Sequence, residues 1–471
     1  HSKLFCGCST EFGAPPNTHV CPVCLGLPGS LPVVNAGAVQ LAMRAGLALG
    51  CGVRGHSVFA RKNYFYPDLA KNYQISQYEL PLNEHGKLVI EAEGTTREVH
   101  IQRIHLEEDA AKNIHGAGSG TMTLVDYNRA GTALMEIVSG PDLRSSAEAE
   151  EYLKRLREIL MFLGVNDGNL EEGSFRCDAN VSVRPMGQEK LGTRCELKNI
   201  NSFRFVRKAI DYEVARQIAV VSGGGTIKQE TRTWNEAQGK TLPMRSKEEA
   251  MDYRYFPDPD LPALSVEERS IAEAKAGLPE LPAAKRARYI GELGATDADA
   301  FVLTSHPEVA VYFETVVGEL LARTEGKLPK DAAGKRVANF VQSELLRYVK
   351  LDGLRAQIPV SAAHLAELLA LVENGAISGK QAKGVLGDVM TTGTSPAKLV
   401  QDKGLAQVSD TAAIEAAARE VLANNAQNVA AFKAGKTNVM GFFVGQVMKA
   451  MKGAGNPKLV NEVLQKLLSE S

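Results

Sequence analysis

Four cysteines crowd the first 24 positions, as Cys6-Gly-Cys8 and Cys21-Pro-Val-Cys24. Each pair turns tightly enough to aim two sulfurs at one ion, and two such pairs can close a tetrahedral Zn²⁺ site. Four thiolates leave no open coordination position, so the zinc expected here is structural. His19, in the loop between the pairs, is a rival ligand, and four unconnected thiols are the plain alternative. Cys51, Cys177 and Cys195 stand alone and are expected to be packed thiols. A zinc deaminase would carry His-x-Glu upstream of Pro-Cys-x-x-Cys. Here His105-Leu-Glu107 lies downstream and the proline sits inside the pair, which excludes that enzyme.

Carboxylates and cations form the second chemical set. Glu107, Glu108 and Asp109 lie in a strand-like run, whose alternation turns Glu108 away from its two neighbours. Glu136 stands in the apolar stretch Ala133-Leu-Met-Glu-Ile-Val138, where an unpaired carboxylate is costly. Metal ligation would remove that cost, and so would a structural ion pair. Arg61 and Lys62 beside Tyr64, Phe65 and Tyr66 combine charge for phosphates with rings for stacking; an aromatic core edge with solvated cations is the alternative. Arg176, Asp178 and Arg184 share one strand face, either the wall of a site or a solvated surface, and the same choice stays open for Glu171, Glu196 and Lys198. No G-x-x-x-x-G-K-[ST] occurs, so a P-loop kinase is excluded. Gly116-Ala-Gly-Ser-Gly120 lacks the lysine and is read as a flexible hairpin turn. A self-sufficient glutaminase would need a Ser-rich amidase signature with its lysine, which Ser222-Gly-Gly-Gly225 does not supply.

The elements that must position these groups divide the chain. At 471 residues it is too long for one ordinary core and suggests about three domains. Hydrophobic residues at 44% and charged residues at 23% are ordinary globular values. Mean hydropathy is −0.15, with no apolar run long enough for a membrane span. Seven cysteines are too few for a disulfide scaffold, so a reducing cytoplasm is expected. The numbering opens on His1 rather than Met, without the order of a signal peptide, and a native start is expected to precede it.

Residues 1–277 read as an α+β domain on an antiparallel sheet. A helix is expected over Ala36–Leu49 behind Asn35, another from Ser145 with Glu148 as a capping box, and a third from Phe203 to Val221. Short β-rich runs between Val53 and Tyr127 alternate with turns such as Asn83-Glu84-His85-Gly86, and strands follow at 174–184 and Thr231–Asn235. Beyond 277 the strand signal disappears, leaving two all-α domains, 278–393 and 394–471, divided at the polar break Thr391–Pro396.

The last of these domains has a charge pattern of its own. From Asn425 to Asn461 there is no acidic residue, while Lys433, Lys436, Lys449, Lys452 and Lys458 are all present, in a chain of net charge −1. A helix over Val439–Lys452 would bury Met440, Phe443, Val447 and Met451. It would place Gly441, Gly445, Lys449 and Lys452 on another stripe. Two glycines there let a phosphate backbone approach closely, with lysines to neutralise it. Helix packing by the glycines is the alternative.

Eight dense strings go further. They are Arg61-Lys-Asn-Tyr-Phe-Tyr-Pro-Asp68, Tyr73-Gln-Ile-Ser-Gln77, Arg103-Ile-His-Leu-Glu-Glu-Asp-Ala110 and Asp126-Tyr-Asn-Arg-Ala-Gly131. Then come Glu136-Ile-Val-Ser139, Glu171-Glu-Gly-Ser-Phe-Arg-Cys-Asp-Ala-Asn180, Glu196-Leu-Lys-Asn-Ile-Asn-Ser-Phe203 and Asp252-Tyr-Arg-Tyr-Phe-Pro-Asp-Pro-Asp260. Together, and in this order over nearly the full length, they resemble the B-subunit family of the bacterial tRNA-dependent aspartyl/glutamyl amidotransferases.

The resemblance implies a cradle-shaped catalytic domain, a helical domain and a tail domain that holds tRNA. It implies a heterotrimer with a glutaminase A subunit and a small C subunit, acting on misacylated Glu-tRNA(Gln) or Asp-tRNA(Asn), with the cognate aminoacyl-tRNA synthetase as a further partner. ATP and Mg²⁺ would phosphorylate the side-chain carboxylate, and ammonia would displace the phosphate. Matched motif to motif, Glu108 and Glu136 are implied as Mg²⁺ ligands, with a further Glu and His from a strand before residue 1. Arg61, Lys62 and Arg176 are expected at the nucleotide, Lys62 as a phosphate contact. Cys6, Cys8, Cys21 and Cys24 are expected at zinc, and Lys436, Gly441, Gly445, Lys449 and Lys452 at tRNA. A zinc-bearing tRNA-binding scaffold without its own chemistry is the alternative function.

Overall fold

The computed structural model describes residues 2–117, 122–244, 252–406, 411–433, 436, 439–451 and 455–470. The chain falls into two compact units, His1–Leu281 and Pro282–Ser471.

The first unit is α+β. Helix α1 (Ala36–Ala48) starts where the Asn35 side chain accepts the Gly37 amide at 2.9 Å. Two short strands follow, β1 (Gly52–Val53) and β2 (His56–Ser57). Strands β3 (Phe59–Asn63) and β4 (Tyr73–Gln77) then pair antiparallel, Lys62 opposite Gln74. A long hairpin, β5 (Asn83–Ala92) and β6 (Thr95–Glu108), is followed by a second, β7 (Lys112–Ala117) and β8 (Met122–Asp126). Strand β9 (Ala133–Ser139) returns along β6, giving a sheet of order β1-β5-β6-β9. Residues 118–120 of the expected glycine turn lie outside the described residues.

Asn83–Gly86, expected as a turn, continues strand β5 instead. Gly86 is required there by close approach, because a Cβ would meet Cys51 Sγ at 2.3 Å and the Leu49 carbonyl oxygen at 2.7 Å. His85 takes the left-handed conformation that would otherwise mark a turn (φ 57°).

A second layer begins with helix α2 (Ser146–Phe162), capped by Ser145, whose hydroxyl accepts the Glu148 amide. The Glu148 carboxylate binds the Arg144 amide and the Arg97 guanidinium. Strands β10 (Cys177–Val181) and β11 (Cys195–Ile200) are antiparallel, helix α3 (Phe203–Ser222) crosses over, and β12 (Glu230–Asn235) pairs parallel to β11 before β13 (Lys240–Pro243). The antiparallel expectation therefore holds for the first sheet and, in this one, fails only at the β11–β12 pairing. A helical crossover returns the chain in the same direction, which a tight hairpin cannot do. Leu156, Leu160, Leu197, Phe205, Val206 and Trp234 fill the core between these elements. Strands β14 (Phe256–Pro257) and β15 (Leu264–Ser265) join β3 and β2, and α4 (Glu268–Ala276) closes the unit against α1.

The second unit is helical: α5 (Pro282–Leu293), α6 (Asp297–Leu303), α7 (Pro307–Arg323), α8 (Lys330–Phe340), α9 (Ala362–Glu373), α10 (Gly379–Thr392) and α11 (Pro396–Asp402) surround one core. That core takes in Leu399 and Val400 of α11, so it runs past the polar break at which a boundary was expected. Gly393 there is the left-handed cap of α10 (φ 68°) rather than a domain edge. A separate core joins α12 (Thr411–Ala423), α14 (Met440–Ala450) and α15 (Pro457–Glu470), with α13 (Ala426–Lys433) alongside. One feature departs from the all-α expectation: a small hairpin, β16 (Lys350–Asp352) and β17 (Arg355–Gln357), turning at Gly353.

A buried ionic cluster fastens α3 to the second sheet. Glu213, fully buried, accepts from Arg216 at 2.6 Å, Gln217 at 2.8 Å and Thr241 at 2.9 Å, with Arg232 Nε at 3.3 Å. Burial alone would raise this carboxyl, but those hydrogen bonds outweigh it and hold it below the usual range. Its stabilisation is therefore present above the unfolded carboxylate pKa of about 4.3 and is lost as pH falls through the lower folded value. Glu213→Gln should cost about 3–5 kcal/mol at neutral pH and flatten the acid limb of stability below about pH 5. The fluorescence of Trp234, the chain's one tryptophan and 4% exposed, reads the transition; an unchanged midpoint would remove the cluster from the stability of this unit.

Candidate active site and metal centres

The β6–β9 register decides which groups meet. His105 lies directly opposite Glu136, and Glu107, two residues on, faces the same side. His105 Nε2 is 3.7 Å from a carboxylate oxygen of each, and the donor atoms of all three lie within 4.8 Å of one another. Glu107 is buried and accepts the Ser76 hydroxyl at 3.0 Å, whereas Glu136 is open to solvent. Burial would raise the Glu107 carboxyl; hydrogen bonding to His105 and the field of Lys62 outweigh that and hold it low. His105 Nδ1 is buried without a partner among the described residues. Two carboxylates, one of them solvent-facing, suit a hard divalent cation that keeps waters and shares phosphate oxygens.

Glu108, expected beside Glu136, is not there. It projects from the other face of β6, 5% exposed, with Lys71 Nζ 2.6 Å from Oε2 and the Ile75 amide donating to Oε1 at 3.0 Å. The Lys71 ion pair satisfies it, and strand alternation separates it from Glu136. The groups that the register brings to Glu136 are Glu107 and His105. The alternation already placed Glu107 on the face opposite Glu108; what was missing was the pairing partner of each residue.

Arg61 also moves from ligand to structure. Its guanidinium binds Asp258 at 2.9 Å and Asp260 at 2.8 Å and lies 4.3 Å from the Tyr73 ring centroid, clamping β14 onto β3. Lys62 projects to the reactive side instead, its Nζ 5.0 Å from the Tyr253 centroid and 5.9 Å from that of Tyr64. Arg176 bonds Asp109 at 2.6 Å.

One cavity of about 2470 Å³ gathers these groups. Lys62, Glu107, Asp109 and Glu136 line it together with Arg176, Asp178, Arg184, Glu196 and Lys198, so the strand face from 176 to 184 is a wall. Glu108, Arg61 and Glu171 do not line it.

The cysteine pairs converge as their spacing predicts. Cys6, Cys8, Cys21 and Cys24 place their sulfurs within 4.8 Å of one another, close to the roughly 3.8 Å edge of a zinc tetrathiolate tetrahedron; His19 is not in the group. The Cys24 thiol is pulled down to about 4, chiefly because Cys6 donates to its sulfur, while burial works against this and Lys3 assists. The remaining cysteines are packed: Cys51 and Cys195 are buried and Cys177 is half-buried.

In the second unit, helix α14 buries Phe443 and Val447 and exposes Gly441, Gly445 and Lys449 on a different stripe. A Cβ on Gly441 or Gly445 would meet nothing within 4 Å, so neither glycine packs a neighbouring helix within the described residues. Lys436 is exposed, and Lys452 lies outside the described residues.

Residues 1–272 match the family model described as the GatB/GatE catalytic domain, and residues 316–468 the one described as the GatB domain. The aspartyl/glutamyl-tRNA(Asn/Gln) amidotransferase B subunit of Myxococcus xanthus (strain DK1622) is 54% identical over 474 residues, spanning 100% of this chain and 96% of that protein. The chain belongs to the amidotransferase B-subunit family. Proteins of the same name from Geotalea uraniireducens (strain Rf4) and Solidesulfovibrio magneticus (strain ATCC 700980 / DSM 13731 / RS-1) are 54% and 53% identical. They cover 100% and 99% of the chain, and each is matched over 96% of its own length. The cysteine cluster, the carboxylate cluster and the cavity that Glu136 opens onto all fall inside the catalytic-domain match. Among the described residues no helix is long and apolar enough to cross a membrane.

The two faces of β6 give separable outcomes. Glu107→Gln and Glu136→Gln should each weaken Mn²⁺ binding, followed by electron paramagnetic resonance, by about tenfold or more. Glu108→Gln should leave that affinity nearly unchanged and lower the unfolding midpoint, because Lys71 loses its partner. Loss of Mn²⁺ binding in Glu108→Gln alone would return the metal to the other face.

Proposed function

We propose that this chain is the kinase and transferase component of a tRNA-dependent amidotransferase, using ATP to phosphorylate the side-chain carboxylate of Glu-tRNA(Gln) or Asp-tRNA(Asn). Ammonia from a glutaminase A subunit then displaces the phosphate, with a small C subunit completing the trimer and the cognate aminoacyl-tRNA synthetase as a further partner. A carboxylate is a poor acceptor for ammonia until one oxygen becomes a leaving group, and an acyl phosphate supplies one. The observation that carries this reading is one cavity lined by Glu107, Glu136 and Lys62 together with Arg176, Arg184 and Lys198. Such a site serves phosphoryl transfer, which needs positioning and charge neutralisation rather than covalent help.

The residues divide the work. Glu107 and Glu136, with His105 behind them, would hold Mg²⁺, which when bound neutralises charge on the transferring phosphoryl group. Lys62, kept beside the Tyr64 and Tyr253 rings, would meet phosphate oxygens, and Arg176, held by Asp109, would orient the nucleotide or substrate. The four cysteines would hold a structural zinc outside the chemistry. The domain built on α12, α14 and α15 would grip tRNA by its backbone through Lys436, Gly441, Gly445, Lys449 and Lys452. The cytoplasm, where translation runs and thiols stay reduced, is the matching compartment.

In the reconstituted trimer, Glu136→Gln should lower ADP formation dependent on misacylated tRNA by about a hundredfold or more. Glutamine hydrolysis by the glutaminase should persist. Near-normal ADP formation would leave the chain as a tRNA-binding scaffold. For the tail, Lys436→Gln with Lys449→Gln should weaken tRNA binding and reduce the slope of log K against log salt by about 1 to 2. An unchanged slope would remove that stripe from the tRNA contact.

A further inference from the structure

Lys3 is fully buried, which is rare for a lysine, since taking an ammonium out of water costs several kcal/mol unless an opposite charge or strong acceptors replace the solvent. Among the described residues no carboxylate pairs with it. Its Nζ lies 3.4 Å from Cys24 Sγ and 3.2 Å from the carbonyl oxygen of Tyr127. A single sulfur and one carbonyl repay only part of the cost. A sulfur belonging to an anionic tetrathiolate repays much more, because zinc with four thiolates carries two net negative charges in a partly buried place.

We propose that Lys3 is part of the zinc site: its ammonium offsets the charge of the tetrathiolate at Cys24 and ties the site, through the Tyr127 carbonyl, to the turn between β8 and β9. This rests on the zinc assignment of the four cysteines. The surroundings support a built position rather than a chance contact. The Lys3 amide donates to the Cys8 carbonyl at 3.0 Å, and the Leu4 amide to the Gly131 carbonyl at 2.8 Å. The loop between the cysteine pairs is fastened to the same turn, Asn17 to Asp126 and Tyr127, His19 to Asn128. Gly131 is required where the turn meets the site. Its φ is +82°, and a Cβ would stand 3.3 Å from Cys24 Cβ and 3.5 Å from Lys3 Cδ. Lys3 thus acts as a positioning residue of the metal, as a hydrogen-bond donor to a ligand atom does in general.

The test compares zinc release from the intact trimer to a chromophoric chelator in wild type, Lys3→Met and Lys3→Met/Cys8→His. Methionine keeps the length and volume of the side chain and removes its charge. Release from Lys3→Met should be about 10- to 100-fold faster. The double variant should return to within about threefold of wild type, since histidine for cysteine removes one negative charge from the ligand set. In cobalt-substituted protein, Lys3→Met should also shift the thiolate-to-metal charge-transfer band to lower energy, as Cys24 loses an N–H donor. Unchanged release and an unchanged band would mean that Lys3 only fills space, and would overturn the proposal while leaving the zinc site standing. If Lys3→Met does not accumulate, a double variant that does, with one zinc bound, supports the charge account; failure of both overturns it. Wild-type protein without stoichiometric zinc would overturn the underlying assignment along with it.

Discussion

The pairing of β6 with β9 is the constraint on which the reactive site depends. It sets His105 against Glu136 and brings Glu107 to the same face; a slip of one residue would send Glu136 to the side where Glu108 meets Lys71. The register is held from both edges. Strand β5 pairs with β6 only as far as Ile104 opposite Asn83, and beyond that point side chains of β4 take over as backbone partners. Gln77 accepts the Leu106 amide at 3.0 Å, and Gln74 donates to the Glu108 carbonyl at 2.7 Å. The Asn83 side-chain amide donates to the Ala42 carbonyl and so couples the same strand pair to α1. On the side away from β9, the last residues of β6, where the carboxylates sit, are thus fixed by buried amide side chains and not by a continuous ladder.

The two ligand clusters of the first unit differ in a way that matches different uses. Four sulfurs surround one point and leave no face for a substrate, whereas the carboxylate cluster has Glu107 sunk in the strand pair and Glu136 facing the cavity. A closed site stores folding energy, and an open one can share its ion with a phosphate. The segment joining them is short. The Gly131 amide donates to the Asp109 carbonyl and the Asp109 amide to the Thr132 carbonyl, while the Asp109 carboxylate holds Arg129 and Arg176. The turn against which the cysteine knuckles rest therefore also fixes the end of the strand that carries Glu107, so order in one cluster supports geometry in the other.

What was legible in the sequence was what is local. Two cysteine pairs read as a cluster because each pair is complete within a few residues, and Asn35 and Ser145 announce helices because a cap acts within its own first turn. The partner of Glu136 was not legible, since a register joins residues some thirty positions apart and alternation alone gives faces without pairings. Arg61 illustrates the same limit. Beside Tyr64 to Tyr66 it reads as a phosphate ligand, yet Asp258 and Asp260, nearly two hundred residues away, neutralise it. The parallel pairing of β11 with β12 and the attachment of α11 to the core before it are likewise decided by packing at long range.

Charge sets the remaining division of labour. With a net charge of −1 the chain has no overall attraction for a polyanion, so any grip on nucleic acid must come from a patch that acts within about a Debye length of 8–10 Å. The α14 stripe meets that requirement cheaply: Phe443 and Val447 anchor the helix, and the opposite surface is free of side-chain bulk at Gly441 and Gly445. The large cavity of the first unit follows the other rule. Two of its cations are balanced nearby, Arg176 by Asp109 and Lys198 by Asp178 at 3.2 Å, so their field is short-ranged. Under the proposed function, capture by exposed surface lysines and discrimination by paired, partly buried charges would fall to different parts of one chain, because a single patch cannot be both strongly attractive at long range and neutral enough to let product leave.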